Sequence, residues 1–357
     1  MAPVLASRRL KPDQMASRCR TRPEAVPERD TIASRSDLLQ PVLAIAALLL
    51  VTLAGWVDLR GLATAAERTA APFLTLAVVI AGGAMADRLG LFRLLARVVL
   101  SDKVPSLMAS AGVLTFTAIV SGAVNLDVAA VVAPPLAIRV AARKGLNAGR
   151  LVVATALTAN ATSFLLPTSN LTNLLVLNRS SIGALEYMRE GWVAWLLVTV
   201  LTVGCLALLN RRSVHCPAAP APRLATPRQI IPTILDLVLM FVIASAIRAL
   251  LGGGLTIHGG FVAQVVAGSL LAAGANNLPA AAAVQTATNG VPWAAIRSMA
   301  MGPNMLVTGS VATIICRRNA LDNGVRFESL TFSVLGAAML PLQFLAACAG
   351  LALVRLG

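Results

Sequence analysis

Leu151 to Leu177 reads LVVATALTANATSFLLPTSNLTNLLVL, an apolar run with a proline-led polar centre, Pro167-Thr168-Ser169-Asn170-Leu171-Thr172-Asn173. A straight helix crosses the hydrocarbon core in ~20 apolar residues, and this run exceeds that. Proline deletes a helix hydrogen bond and clashes with the turn before it, so the pattern predicts an unwound middle. Irregular backbone at membrane depth is tolerated only where it lines a cavity. The stretch therefore predicts a broken transmembrane helix with a polar site at its break.

The rest of the chain sets that helix in a membrane protein. Of the 357 residues, 57% are hydrophobic and 13% charged, whereas a soluble domain has about a quarter charged. Apolar runs recur from Leu39 to Val354, which excludes a single signal peptide as their origin. The net charge of +15 sits mostly in short Arg/Lys segments between apolar runs, as the positive-inside rule requires. Scarce aromatic residues leave no stacking platform for bases, so nucleic acid is not an expected partner. The five cysteines are scattered without metal-ligand spacing and read as structural thiols.

Working outward from the break, residues 1–37 read as a disordered basic N-terminal segment, and 38–71 as a first transmembrane helix with its outer loop. A first repeat covers 72–209. It holds a span at about 72–89, an interfacial stretch at 91–100, a hairpin at about 104–142, the broken helix at about 151–177 and a span at 192–209. The Ala123-Val124-Asn125-Leu126-Asp127 segment has no polar loop of its own, and basic residues flank both ends of its hairpin. Two full spans with a tight outer turn fit this segment, as does a re-entrant hairpin. The short second arm, shortened further by Pro134-Pro135, favours the hairpin. Residues 210–230 form a cytoplasmic linker rich in Arg and Pro.

A second repeat covers 231–357: a span at 231–251, a hairpin at about 259–290 with Asn276-Asn277-Leu278-Pro279 at its centre, a broken helix at about 293–316 and a last span. Gly302-Pro303-Asn304 and Thr308-Gly309-Ser310 interrupt this second broken helix. Basic residues place the first hairpin on the cytoplasmic side and leave the second outside. The expected fold class is an all-α polytopic membrane protein with inverted repeats, each carrying a re-entrant hairpin and a broken helix. That arrangement is typical of secondary transporters. The expected location is the cell inner (plasma) membrane, multi-pass, with a cytoplasmic N-terminus.

Polar groups in hydrocarbon cost several kcal/mol unless partnered, so the four polar clusters are the candidate site. Its substrate- and ion-binding candidates are Asn125, Asp127, Thr168, Ser169, Asn170, Thr172, Asn173, Asn276, Asn277, Asn304, Thr308 and Ser310. Amides and hydroxyls offer donors and acceptors without the desolvation cost of a buried charge. Half-helix N-termini add a partial positive charge suited to an anion. Asp127 is the one acid placed beside a tip, a candidate for carrying protons or a cation.

These residues also carry a resemblance. Val124-Asn125-Leu126-Asp127 with Ala130-Val131-Val132-Ala133-Pro134, Ser169-Asn170-Leu171-Thr172-Asn173-Leu174, and Gly302-Pro303-Asn304-Met305-Leu306-Val307-Thr308-Gly309-Ser310 resemble arsenical pump membrane proteins. These belong to the ion transporter superfamily, with Na⁺-coupled dicarboxylate carriers and Na⁺/H⁺ antiporters. The resemblance implies a two-hairpin elevator-type fold with the solute between tips and breaks. It implies arsenite or antimonite export driven by protons or the membrane potential, in some relatives with an ATPase subunit, and leaves a homodimer as a candidate assembly. No cofactor is expected beyond a coupling ion, H⁺ or Na⁺. A site without Arg or Lys suits uncharged arsenite; another inorganic or organic anion, dicarboxylate-like, is the alternative, and a Na⁺/H⁺ antiporter comes third. A channel is a passive rival. An intramembrane hydrolase is disfavoured because the two histidines, His215 and His258, fall in the linker and a glycine-flanked loop.

Overall fold

The computed structural model describes residues 104–178, 180, 182–211, 255–285 and 292–356, with single positions at Arg60, Glu67, Val242, Ile243 and Ala246. The spans expected at 39–56 and 72–89, the stretch 91–100, the N-terminal segment, all but three positions of the span expected at 231–251 and nearly all of the linker lie outside the described residues, as do 286–291.

The described chain is mostly helical. Helix α1 (Ser106–Ala123) and helix α2 (Leu126–Lys144) form a tight hairpin, with Val124 and Asn125 as the turn. Helix α2 stops where Gly145 takes a left-handed conformation (φ 66°) that a side chain would resist. Lys144 Nζ then ties the hairpin's ends together by donating to the Val104 carbonyl at 2.8 Å. Asn147 caps helix α3 (Ala148–Ala161) by accepting from the Arg150 amide at 2.9 Å. After a break with a 3₁₀ turn at Pro167–Ser169 come α4 (Leu171–Leu177) and the long α5 (Ala184–Leu209).

The later part repeats this order. Helix α6 (Phe261–Ala275) turns at Asn276 into the short α7 (Asn277–Ala283). Helix α8 (Trp293–Met301) breaks into two 3₁₀ turns, Gly302–Met305 and Val307–Gly309, then resumes as α9 (Val311–Asp322). Helix α10 (Ser329–Leu356) closes the chain. By length and apolar composition, α1, α5 and α10 are each long enough to cross a bilayer. A polytopic membrane protein fits this set of helices.

Three details depart from the sequence reading. Helix α2 runs for 19 residues straight through Pro134-Pro135 rather than being shortened by them. The first break starts at Thr162, five residues before the proline, so Thr172 and Asn173 already lie in helix α4. The chain is also not purely helical: β1 (Leu255–Thr256) and β2 (Val284–Gln285) form a two-residue parallel pair. Pairing supplies backbone partners where α7 ends after seven residues.

Helices α5 and α10 pack against each other in opposite directions, since Ala194 meets Gly350 while Thr202 accepts from Gln343 Nε2 at 3.0 Å. Helix α1 packs on α3 and α5, α6 on α8 and the second break, and α9 lies against both α2 and α3. One continuous apolar core joins both halves.

Helix α10 approaches the second break so closely that a Cβ at Gly336 would overlap the Asn304 carbonyl, whereas a Cβ at Gly204 meets nothing. Overpacking typically costs ~1–3 kcal/mol. Gly336→Val is therefore expected to lower the thermal midpoint of the purified protein in detergent, with Gly204→Ala unchanged in the same assay.

Candidate functional site at two tips and two breaks

Each tip is made by an asparagine with two jobs. Asn125 caps α2, its Oδ1 accepting from the Asp127 amide at 2.8 Å, and its Nδ2 donates to the Thr168 carbonyl at 3.1 Å. Asn276 caps α7, its Oδ1 accepting from the Leu278 amide at 3.2 Å, and its Nδ2 donates to the Thr308 carbonyl at 2.9 Å. Asn276 is the described non-glycine residue with positive φ (73°), a conformation asparagine tolerates better than most. In both halves a hairpin tip thus holds the broken helix of its own half by a carbonyl that the break has freed.

The two breaks share a backbone course. Leu166 and Leu306 are extended, a three-residue 3₁₀ turn follows, and Asn170 and Ser310 are extended again before the next helix starts. Asn170 caps α4 by accepting from the Thr172 amide at 3.1 Å, while Ser310 stands at the cap of α9 without a side-chain capping bond. The helix starts of α2 and α4 are joined through the Asn125–Thr168 bond, and those of α7 and α9 through the Asn276–Thr308 bond. Helix α7 packs on α4 and α2 on α9, and the first residue of each of these four helices is buried.

The remaining candidates fill in around them. Ser169 donates to the Leu166 carbonyl at 2.7 Å, Asn170 Nδ2 donates to Ser163 Oγ at 3.0 Å, and Asn173 Nδ2 to the Ser163 carbonyl at 2.9 Å. Asn277 Nδ2 donates at a long 3.5 Å to the Met299 carbonyl. Thr308 is exposed, and its part in these contacts is its carbonyl. Asp127 is buried in the first turn of α2, where the helix dipole favours a negative charge; its carboxylate has no hydrogen-bond or ion-pair partner among the described residues. Among the eight buried side-chain atoms that lack a partner in the described residues are Asn160 Oδ1, Thr172 Oγ1 and Asn173 Oδ1. All three can accept a hydrogen bond, and all three lie at or beside the first break.

Residues outside the sequence-based set complete the site. Asn160 links the halves, its Nδ2 donating to Asn304 Oδ1 and to Thr313 Oγ1, each at 2.9 Å. Asn304 Nδ2 returns a bond to the Leu157 carbonyl at 3.1 Å. On α5, Tyr187 donates to the Phe164 carbonyl and Trp195 to the Thr162 carbonyl, both at 2.8 Å, satisfying the first break from outside. The signal for Asn160 was an amide in an apolar run, passed over because Pro167 drew the break further along.

Arg297, a cation inside an apolar stretch, was missed as well. It is fully buried on α8, donating from Nη2 to the Ala347 carbonyl at 3.0 Å and lying 5.6 Å from the Trp293 ring centroid. Its bonds go to α10, so it braces the frame and does not reach the tips. Among the described residues no group of His, Cys, Asp and Glu is arranged to hold a metal.

Residues 32–356 match the family model described as Citrate transporter. The chain belongs to the citrate transporter family. That makes it a secondary transporter of citrate-type anions and a multi-pass membrane protein, within the broad ion transporter group that the motifs had pointed to. The narrower resemblance to arsenical pumps gains nothing from this match. No curated protein matches the chain.

Losing a bond that holds a buried carbonyl costs about 1–3 kcal/mol, or roughly tenfold or more in a rate that depends on it. Asn125→Ala and Asn276→Ala are each expected to slow solute flux in proteoliposomes about tenfold or more, with normal amounts of inserted protein.

Proposed function

We propose that this protein carries citrate or a closely similar carboxylate across the cell membrane, bound between the two hairpin tips and the two broken helices and coupled to H⁺ or Na⁺. The observation that carries the reading is that the starts of α2, α4, α7 and α9 are all buried and are tied in pairs by the Asn125 and Asn276 bonds, with α2 and α9 heading helices of 19 and 12 residues. Their free N–H groups and dipoles suit carboxylate oxygens without a buried Arg or Lys. The unpartnered oxygens of Asn160, Thr172 and Asn173, together with the buried carboxylate of Asp127, are the complementary acceptors for a coupling ion or for hydroxyl groups of the solute.

In this reading the α1–α2 and α6–α7 hairpins are re-entrant, and the halves are inverted repeats that rock around a shared midplane site. The twin Asn-to-Thr-carbonyl bonds support it. Charge supports the orientation: Arg143 and Lys144 end α2, Arg150 opens α3 and pairs with Glu328 at 3.6 Å, and Gly149 packs on the Arg326 backbone. This basic end is assigned to the cytoplasm. Inner-membrane location and a cytoplasmic N-terminus belong to the same proposal.

A second reading, export of arsenite or antimonite, draws on the amide-and-hydroxyl character of the tips, which also suits an uncharged acid. An ATPase subunit and a homodimer belong to that wider resemblance.

The deciding experiment is uptake of labelled citrate into proteoliposomes holding the full chain, alongside a dicarboxylate panel and arsenite, under imposed H⁺ or Na⁺ gradients. Gradient-driven citrate accumulation is the expected result. Movement of arsenite alone would transfer the assignment to the second reading. Asp127→Asn is expected to abolish gradient-driven accumulation while the protein still inserts; full ion coupling in that variant would remove Asp127 from the site.

A further inference from the structure

Helix α2 carries two adjacent prolines and remains helical through them. Pro134 has no N–H to offer the Ala130 carbonyl one turn earlier, and its ring crowds that oxygen outward. In an apolar interior the oxygen needs another donor. It has two, both on α9 of the opposite half: Asn319 Nδ2 at 3.2 Å and the Cys316 thiol at 3.6 Å. A thiol is a weak donor, so the buried amide of Asn319 carries the bond.

The position of this bond matters. Asn125, at one end of the tip, is tied to the first break through Thr168; Ala130, at the other end, is tied to α9 through Asn319. Asp127 lies between the two ties. The same stripe of α9 carries Thr313, which accepts from Asn160 of α3. Helix α9 therefore grips both the hairpin and the broken helix of the first half by side chains spaced at three-residue intervals.

We propose that Asn319 is a positioning residue: its amide replaces the helix bond that Pro134 deletes and so fixes the Asp127-bearing turn of the first hairpin to the second broken helix. The proline gap leaves the Ala130 carbonyl without its own helix donor, so the Asn319 amide supplies the bond that this oxygen would otherwise lack. A shift of α9 is thereby passed to the tip of the other half. The consequence for solute binding rests on the tips being the solute site; the tie itself does not.

The test uses the full chain in lipid nanodiscs and proteoliposomes, as wild type, Asn319→Ala, Pro134→Ala and the double variant. Amide hydrogen exchange is read over residues 126–132 and citrate KM from uptake. Asn319→Ala is expected to speed exchange in that segment about tenfold and to raise KM several-fold, with the maximal rate changed less. Pro134→Ala in the same chain restores an N–H at position 134, so the double variant returns to wild-type exchange and KM. A structural role alone would lower thermal stability in both backgrounds and leave KM unmoved, overturning the proposal. So would a double variant no better than Asn319→Ala, or unchanged exchange in Asn319→Ala. If Asn319→Ala fails to insert, recovery of insertion in the double variant supports the tie, and failure of both overturns it. A wild type that moves no citrate sinks the citrate assignment only, because the exchange data still decide the tie.

Discussion

A carbonyl oxygen freed inside an apolar protein has to be given a donor, and this fold is organised around that requirement. Two broken helices and a proline pair release such oxygens at Thr162, Phe164, Thr168, Thr308 and Ala130. Each accepts from a side chain of another element: Trp195, Tyr187, Asn125, Asn276 and Asn319 in turn. With each unmade bond costing about 1–3 kcal/mol, the breaks exist only because these donors arrive. The donors also fix which elements touch, so satisfying the backbone and assembling the site are one event.

The donors divide by role. Tyr187 and Trp195 reach in from α5, a long apolar helix packed on α10, and give the first break a rigid wall. Tyr187 stacks on Trp293, with ring centroids 5.1 Å apart, and Trp293 donates to Glu190 at 2.8 Å, which ties that wall to α8. The asparagines at the tips come from the two helical hairpins instead. In the proposed function the α5 wall holds the breaks, and the tips are the parts whose bonds would be exchanged for solute.

How much of this was legible from residues varies by element. The breaks were visible because proline and glycine stand inside apolar runs at Pro167 and Gly302-Pro303, and local backbone chemistry acts wherever the chain goes. The tips were visible at Asn125 and Asn276 because an amide in hydrocarbon demands a reason. Asn160 escaped because its partners, Asn304 and Thr313, lie in the other half of the chain, and no local pattern pairs them. Arg297 escaped for a similar reason, since its charge is accommodated by the Ala347 carbonyl and two aromatic rings from distant segments.

Helix α2 marks the boundary between the two kinds of information. Read alone, Pro134-Pro135 argues for a shortened arm, and the local rule behind that reading is sound. The helix continues because Asn319, far along the chain, supplies the missing donor. The sequence by itself determined that the chain is an apolar, many-span protein with two polar interruptions and two asparagine tips, because hydropathy, charge placement and proline act locally. Only the tertiary structure decided which freed carbonyl meets which donor, because those bonds join residues that only folding brings within hydrogen-bonding distance.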